Sequence, residues 1–139
     1  MKRRLVVDSS VFLAWLLQEP SSQRAEAMID EYLFGSLRLL TLDLAWLEVA
    51  SVVSKRARLQ KISRAEASGL LADFRTCAPT GESSVRFIEA GLDVSIHLGL
   101  ALYDCLYLAF ALEEGCDFIT ADERFFHAVR HSYPNVKLL

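Results

Sequence analysis

Residues 5–11 read LVVDSSV, a short apolar run followed at once by an aspartate and two serines. The branched residues at 5–7 predict a buried strand, and the pattern from about residue 9 to residue 18 predicts a helix. The same order recurs near the end of the chain, where a predicted strand at 117–120 leads through an aspartate into a predicted helix at 123–130. Strands that lead directly into helices are typical of parallel α/β sheets.

The rest of the chain alternates in the same way. Further strands are predicted at 38–42 and 136–138, and further helices at 22–33, 43–59, 64–76, 89–98 and 102–114. Ser63 and Glu66 form a capping box for the helix at 64–76, whereas residues 84–88 fit either a short strand or the start of the next helix. We therefore expect an α/β fold, namely a three-layer α/β/α sandwich around a short central parallel sheet.

The composition is that of one folded domain. The 139 residues are 53% hydrophobic and 24% charged, which argues against a disordered tail or a small disulfide-stapled protein. We expect residues 1–139 to form a single domain. The net charge of −3 excludes a protein that binds nucleic acid through bulk positive charge, although it leaves room for a local basic patch.

The cysteines and the apolar segments predict a cytoplasmic protein without a membrane span. Three cysteines form no C-x-x-C pair, and two of them lie in apolar surroundings, as is typical of reduced thiols. The longest uncharged stretch at 105–112 is far shorter than the ~20 residues that cross a bilayer. Asp8 also interrupts the apolar run at the N-terminus, unlike the core of a signal peptide.

Three carboxylates are each the only charged residue in a long apolar segment. Asp8 is alone in residues 5–17, Glu48 in residues 44–54 and Asp104 in residues 99–112. An ionised carboxylate withdrawn from water needs a cation, a set of hydrogen bonds or a raised pKa.

Each carboxylate also has a simpler structural explanation. Asp8 and Asp122 lie at strand-to-helix junctions, where aspartate is a common helix cap, and Asp104 lies near the start of its helix. Glu48 lies in the middle of a helix, where it shares a polar stripe with Ser51 and Lys55. That stripe predicts either a polar cleft or a buried ion pair with a lysine or an arginine.

Together the carboxylates indicate more than each does alone. Asp8 and Asp122 follow strands at their carboxyl ends, which is where parallel sheets place their ligand crevices. Four convergent carboxylates repel one another, so such a cluster is stable mainly with a hard cation. Oxygen ligands without histidine or cysteine favour Mg²⁺ or Mn²⁺ over zinc. The pattern predicts metal-dependent phosphoryl chemistry.

Four short segments resemble the motifs of PIN-domain ribonucleases. They read VVDSSV at 6–11, EVA at 48–50, YDCLYLA at 103–109 and TAD at 120–122, and they cover nearly the whole chain in order. More closely, the chain is similar to the VapC-type toxins of prokaryotic toxin–antitoxin systems. The resemblance implies a PIN-like sandwich and a Mg²⁺- or Mn²⁺-dependent endoribonuclease.

The resemblance also implies roles for individual residues. Asp8, Glu48, Asp104 and Asp122 would be the catalytic residues and would hold the metal directly or through water. The hydroxyls of Ser9 and Thr120 would support them. It implies a homodimer and a small VapB-like antitoxin as a partner. Hydrolysis by a metal-activated water predicts products with 5′-phosphate and 3′-hydroxyl ends.

A basic run that includes Lys55 and Arg58 closes the helix of Glu48. Basic residues are common at solvated helix ends, where they complement the helix dipole, and contact with RNA phosphates is the functional alternative. Two other functions stay open on the sequence alone. One is a nuclease of the same chemistry that acts on DNA, and the other is a metal-binding signalling or interaction module without nuclease activity.

Overall fold

The structure is a computed structural model that describes residues 2–139. Within that range four strands form one sheet in the order β2-β1-β3-β4, and every pairing between neighbours is parallel. The strands are β1 (Arg3–Val7), β2 (Leu37–Leu40), β3 (Asp117–Thr120) and β4 (Val136–Leu138). The predicted short parallel sheet is confirmed.

Helices connect the strands. Those of the described chain are α1 (Ser9–Leu16), α2 (Ser22–Leu33), α3 (Leu44–Arg58), α4 (Arg64–Cys77), α5 (Ile88–Leu98), α6 (Leu102–Glu114) and α7 (Glu123–Val129). Residues Ser84–Phe87, which the sequence left open between strand and helix, form a 3₁₀ helix that leads into α5. Within residues 2–139 no single helix is long and apolar enough to cross a membrane, and only Ser84–Leu98 with Leu102–Glu114, bent by 116°, reach that length and hydropathy together.

Both faces of the sheet are covered. Successive side chains on a strand point to opposite faces, and Leu5, Val6 and Val7 of β1 are all buried. Helix α6 packs against β1 and β3, and its residues 105–111 are buried without exception. The buried apolar residues form one continuous core. These features confirm the predicted α/β/α sandwich.

Helices α5 and α6 pack closely because a glycine lies between them. A Cβ at Gly91 would stand 2.6 Å from a side-chain carbon of Leu106, so a larger residue there would force the buried Leu106 side chain to shift. Gly99 then ends α5 in the left-handed conformation, with φ of 67°, and α6 begins three residues later. After this turn, α6 runs along the sheet and packs against β1 and β3.

The two strand-to-helix junctions that the sequence singled out are neighbours. Strand β1 pairs with β3, with Val7 opposite Ile119, and both strands run in the same direction. Asp8 is the N-cap of α1 and Asp122 is the N-cap of α7. The predicted meeting of the two junctions at one edge of the sheet is confirmed.

Candidate active site

Asp8 is held rigidly at the carboxyl end of β1. Its side chain is only 5% exposed. One carboxylate oxygen, Oδ1, accepts hydrogen bonds from the backbone N–H of Ser10 at 3.0 Å and from the Ser10 hydroxyl. The other, Oδ2, accepts the Thr120 hydroxyl at 2.6 Å. The donors come from both junctions, so the position of the carboxylate is set by β1 and β3 together.

Burial makes Asp8 an unusual acid. Loss of water raises the pKa of its carboxyl group from 3.8 to about 7, and the hydrogen bonds from Ser10 and Thr120 only partly oppose that rise. The negative charges of Asp104 and Glu48 raise the pKa further. Asp8 therefore lies close enough to Asp104 and Glu48 to interact with their charges.

Glu48 projects from the middle of α3 and is partly buried. The Tyr107 hydroxyl donates a hydrogen bond to its Oε1 at 2.7 Å. Burial raises the pKa of Glu48, whereas hydrogen bonds from Tyr107 and Ser9 lower it. None of the ion pairs formed by residues 2–139 includes Glu48, so the alternative of a buried ion pair is wrong for the part of the chain that the structure describes.

Asp104 lies in the first turn of α6 and Asp122 at the start of α7, near enough for the charge of Asp122 to act on Asp104. Burial raises the pKa of Asp104 to about 6, and the charges of Asp122 and Glu48 add to the rise. The Asp122 side chain accepts the backbone N–H of Phe125 at 3.1 Å, which is the capping role that the sequence offered as the simpler explanation. Asp122 thus both caps α7 and adds negative charge beside Asp104.

The four predicted acids therefore form one electrostatically connected group. Every donor atom in it is oxygen, and no ion pair between described residues neutralises any of its members. Within residues 2–139, however, no three Asp, Glu, His or Cys side chains stand close enough together to grip one ion directly. The four acids therefore interact electrostatically, but they do not form a complete set of ligands around one metal position.

The sequence did not single out two hydroxyls that bind the predicted acids. The resemblance named Ser9, which lies beside Glu48, but it is Ser10 that binds the Asp8 carboxylate. Tyr107 was quoted only as part of a motif, although it positions Glu48. Signals for both were present, since Ser10 follows Asp8 by two residues and Tyr107 lies one helical turn after Asp104. The predicted Thr120 hydroxyl contacts Asp8.

The two predicted phosphate contacts, Lys55 and Arg58, lie on the same helix as Glu48 but away from it. Lys55 is exposed in the last part of α3, seven residues after Glu48, which is roughly 10 Å along a helix. Arg58 is exposed as well, and its Nε lies 3.5 Å from the Ser54 hydroxyl. A basic surface therefore begins two helical turns from the acidic group.

The sequence profile of the PIN domain matches residues 5–131 of this chain. The chain belongs to the PIN-domain family. It is 30% identical over 123 residues to Ribonuclease VapC3 of Pyrobaculum aerophilum, which covers 87% of this chain and 91% of that protein. Both matches confirm the resemblance that the four motifs carried.

The fold of this PIN domain has also been seen in a crystal structure. PAE2754 from Pyrobaculum aerophilum superposes with a TM-score of 0.71, over 91% of this chain and 79% of that one. The two sequences are 22% identical, so the likeness concerns the fold alone. It supports the parallel sandwich described above.

Proposed function

We propose that this chain is a metal-dependent endoribonuclease and the toxin of a toxin–antitoxin pair. The observation that carries the proposal is the buried Asp8 carboxylate, whose pKa is raised to about 7 within a group of acids that no basic side chain of the described residues neutralises. A fold keeps such a costly group mainly where it performs chemistry. The similarity to a protein named Ribonuclease VapC3 makes RNA the favoured substrate.

The residues fit a hydrated divalent cation. Asp8, Glu48, Asp104 and Asp122 offer oxygen ligands only, which suits Mg²⁺ or Mn²⁺. Mg²⁺ commonly keeps several of its waters and uses only one or two protein carboxylates. Acids that lie near one another without direct contact can therefore bind it, in part through those waters. Such an ion, when bound, would lower the pKa of a water and offset the charge of the phosphate.

The surrounding side chains would keep the acids in place. Ser10 and Thr120 hold both oxygens of Asp8, and Tyr107 holds one oxygen of Glu48. Lys55 and Arg58 would contact phosphates of the RNA farther from the scissile bond. Because they form none of the ion pairs between described residues, their charges are available to a polyanion.

The decisive experiment is cleavage of labelled RNA in Mg²⁺, Mn²⁺ or EDTA, with labelled DNA beside it. We expect cleavage of RNA that needs the metal and falls by at least about a hundredfold in Asp104→Asn, since a residue of the reacting site is lost. Asp93→Asn is the matched control, because Asp93 is exposed on α5 and lies outside the acidic group.

The ends of the products test the mechanism separately. Attack by water predicts 5′-phosphate and 3′-hydroxyl ends, and products with 2′,3′-cyclic phosphates would contradict it. Cleavage in EDTA would contradict the metal requirement. Cleavage of DNA alone would establish the alternative substrate, and metal binding without cleavage of either polymer would favour a signalling or interaction module.

The proposal includes the partners that the VapC resemblance implies, namely a second copy of the chain and a small antitoxin. A row of exposed apolar side chains along the 3₁₀ helix and α5 supports the homodimer: Val85, Ile88, Leu92 and Ile96. Around a two-fold axis at Leu92, Ile88 of each copy would meet Ile96 of the other. Leu92→Glu should therefore yield monomers in sedimentation experiments, and an unchanged dimer would exclude this face.

We also propose a cytoplasmic location. All three cysteines are free thiols, as is usual in a reducing compartment. Fractionation of cells that express the native chain would test it.

A further inference from the structure

A cleft of about 430 Å³ opens directly beside two of the acids. Asp104 and Asp122 line one part of it. The rest of its wall comes from the turn before α6 and from α7: Leu100, Ala101, Arg124, Phe125 and Ala128. Its volume suits one small organic group, since ligand pockets usually measure roughly 300–1,000 Å³.

Arg124 is the only basic residue in this lining. Its side chain is exposed, and none of the ion pairs or side-chain hydrogen bonds of residues 2–139 ties it to the neighbouring acids. A phosphate that approaches Asp104 and Asp122 is repelled by both carboxylates. A free guanidinium on the same wall offsets that repulsion and can bind two phosphate oxygens at once.

Apart from the two acids and Arg124, the lining is apolar. Leu100 and Ala101 precede α6, and Ala128 lies one turn after Arg124 on α7, so apolar side chains share the cleft with the cation. An apolar surface beside a phosphate-binding group matches a nucleotide, which carries a flat base and a charged phosphate.

We propose that this cleft holds the nucleotide next to the scissile phosphate of a single-stranded RNA. The base lies against Leu100, Ala101 and Ala128, and Arg124 binds the phosphate of that nucleotide. The inference rests on the proposed ribonuclease function. Single-stranded RNA is required, because bases within a duplex are stacked and cannot enter a cleft of this size.

The first test compares Arg124→Gln with Arg130→Gln in cleavage of a short single-stranded RNA with Mg²⁺. Arg130 is an exposed arginine just beyond α7 that does not line the cleft. Arg124→Gln should raise KM by about ten- to a hundredfold, as expected for one charged hydrogen bond, with a much smaller change in kcat. It should also lower the slope of log KM against log salt by about 0.7, the value for one phosphate of a single strand. Arg124→Lys should recover part of the loss.

The second test fills the cleft. Ala128→Phe adds a ring at an exposed helical position, so the fold should survive, as circular dichroism would verify. It should raise KM for single-stranded RNA without a change in the salt slope, because no charge is altered.

Two results would overturn the proposed role of the cleft: equal effects of Arg124→Gln and Arg130→Gln, or unchanged kinetics of both Arg124→Gln and Ala128→Phe. In either case, cleavage by the wild-type protein would still support the ribonuclease function. Failure of the wild-type protein to cleave any RNA would overturn the ribonuclease function and the cleft together.

Discussion

Replacement of Asp8 by asparagine should make the metal-free protein more stable at neutral pH. The side chain is 5% exposed, and burial raises the pKa of its carboxyl group from 3.8 to about 7. Asparagine has nearly the same shape and no charge. Its oxygen can still accept the N–H of Ser10, and its amide can donate to Thr120, whose hydroxyl can turn to accept.

The size and the sign of the effect follow from proton linkage. Between about pH 4 and pH 7 the folded protein keeps a proton on Asp8 that the unfolded chain has released. Unfolding therefore releases a proton, and the free energy of unfolding falls as the pH rises, by about 1.4 kcal/mol per pH unit. The contribution is fully present below pH 4 and lost above pH 7. Over the whole interval it amounts to about 4 kcal/mol.

Urea unfolding in EDTA, followed by circular dichroism at several pH values, measures this contribution. The wild-type protein should lose stability between about pH 4 and pH 7, and Asp104, whose pKa is raised from 3.8 to about 6, should add to that loss below about pH 6. Asp8→Asn should show a flatter profile and exceed the wild type in stability at pH 8. Asp93→Asn, at an exposed site on α5, should follow the wild type.

Two results would refute this reasoning. The first is a pH profile of Asp8→Asn that parallels that of the wild type, since desolvation of this carboxylate would then not govern the profile. The second concerns the metal. Mg²⁺ at pH 8 should stabilise the wild-type protein and not Asp8→Asn, because binding to the folded state alone raises its stability. Equal stabilisation of both would show that Asp8 does not take part in binding.

Three further predictions concern single positions. Tyr107→Phe removes the hydroxyl that binds Glu48 at 2.7 Å and should cost about 1 kcal/mol in urea unfolding, whereas an unchanged midpoint would show that the bond is not stabilising. Gly81→Ala should cost about 1–3 kcal/mol, because the new Cβ would lie 2.3 Å from the backbone nitrogen of Asp43. Gly69 lies inside α4, and a Cβ there would meet no atom of another part of the protein within 4 Å, so Gly69→Ala should instead stabilise the fold by roughly 0.5–1 kcal/mol. A change of the same sign in both glycine variants would contradict this explanation.

The helices whose ends are marked by capping or terminating residues were predictable from the sequence. Helix α6 has the predicted bounds because a glycine stands before its start and another at its end, and both adopt positive φ, 67° at Gly99 and 63° at Gly115. The capping box of Ser63 and Glu66 is present with both of its hydrogen bonds. Such signals act over a few residues, so the sequence displays them directly.

Elements that depend on distant partners were placed less well. Strand β1 begins at Arg3 and not at Leu5, because its first residues pair with β2 and Arg4 binds Glu114 at 2.7 Å. Apolar patterning does not show that charged residues at a sheet end will pair. The start of a strand can therefore extend beyond its apolar run.

The 3₁₀ helix has a similar explanation. The carboxylate of Asp43 does not cap its own helix and instead accepts the backbone N–H of Ser84 at 3.0 Å. The Ser84 hydroxyl in turn accepts the N–H of Leu44 at 3.2 Å. A contact across 41 positions fixes the conformation here. Local propensity at residues 84–88 therefore could not decide between strand and helix.

The acids of the site could be predicted from the sequence, whereas two of the hydroxyls that bind them were not predicted. A lone charge in an apolar segment is conspicuous, whereas a serine after an N-cap or a tyrosine on a core helix is ordinary. The resemblance consequently directed attention to Ser9 and not to Ser10, although Ser10 binds Asp8 with both its N–H and its hydroxyl.

The hydrogen bonds around Asp8 bind the two junctions to each other. The Ser10 hydroxyl accepts the N–H of Ala121 at 2.8 Å, and the Thr120 hydroxyl accepts the N–H of Asp122 at 3.1 Å while both hydroxyls donate to Asp8. An asparagine oxygen at position 8 can still accept from Ser10, and its amide can donate to a Thr120 hydroxyl that has turned to accept, so contacts with both junctions persist without the cost of a buried charge. Asp8→Asn should therefore gain stability and lose cleavage at once, which is the trade expected where a charge is retained for chemistry at the expense of stability.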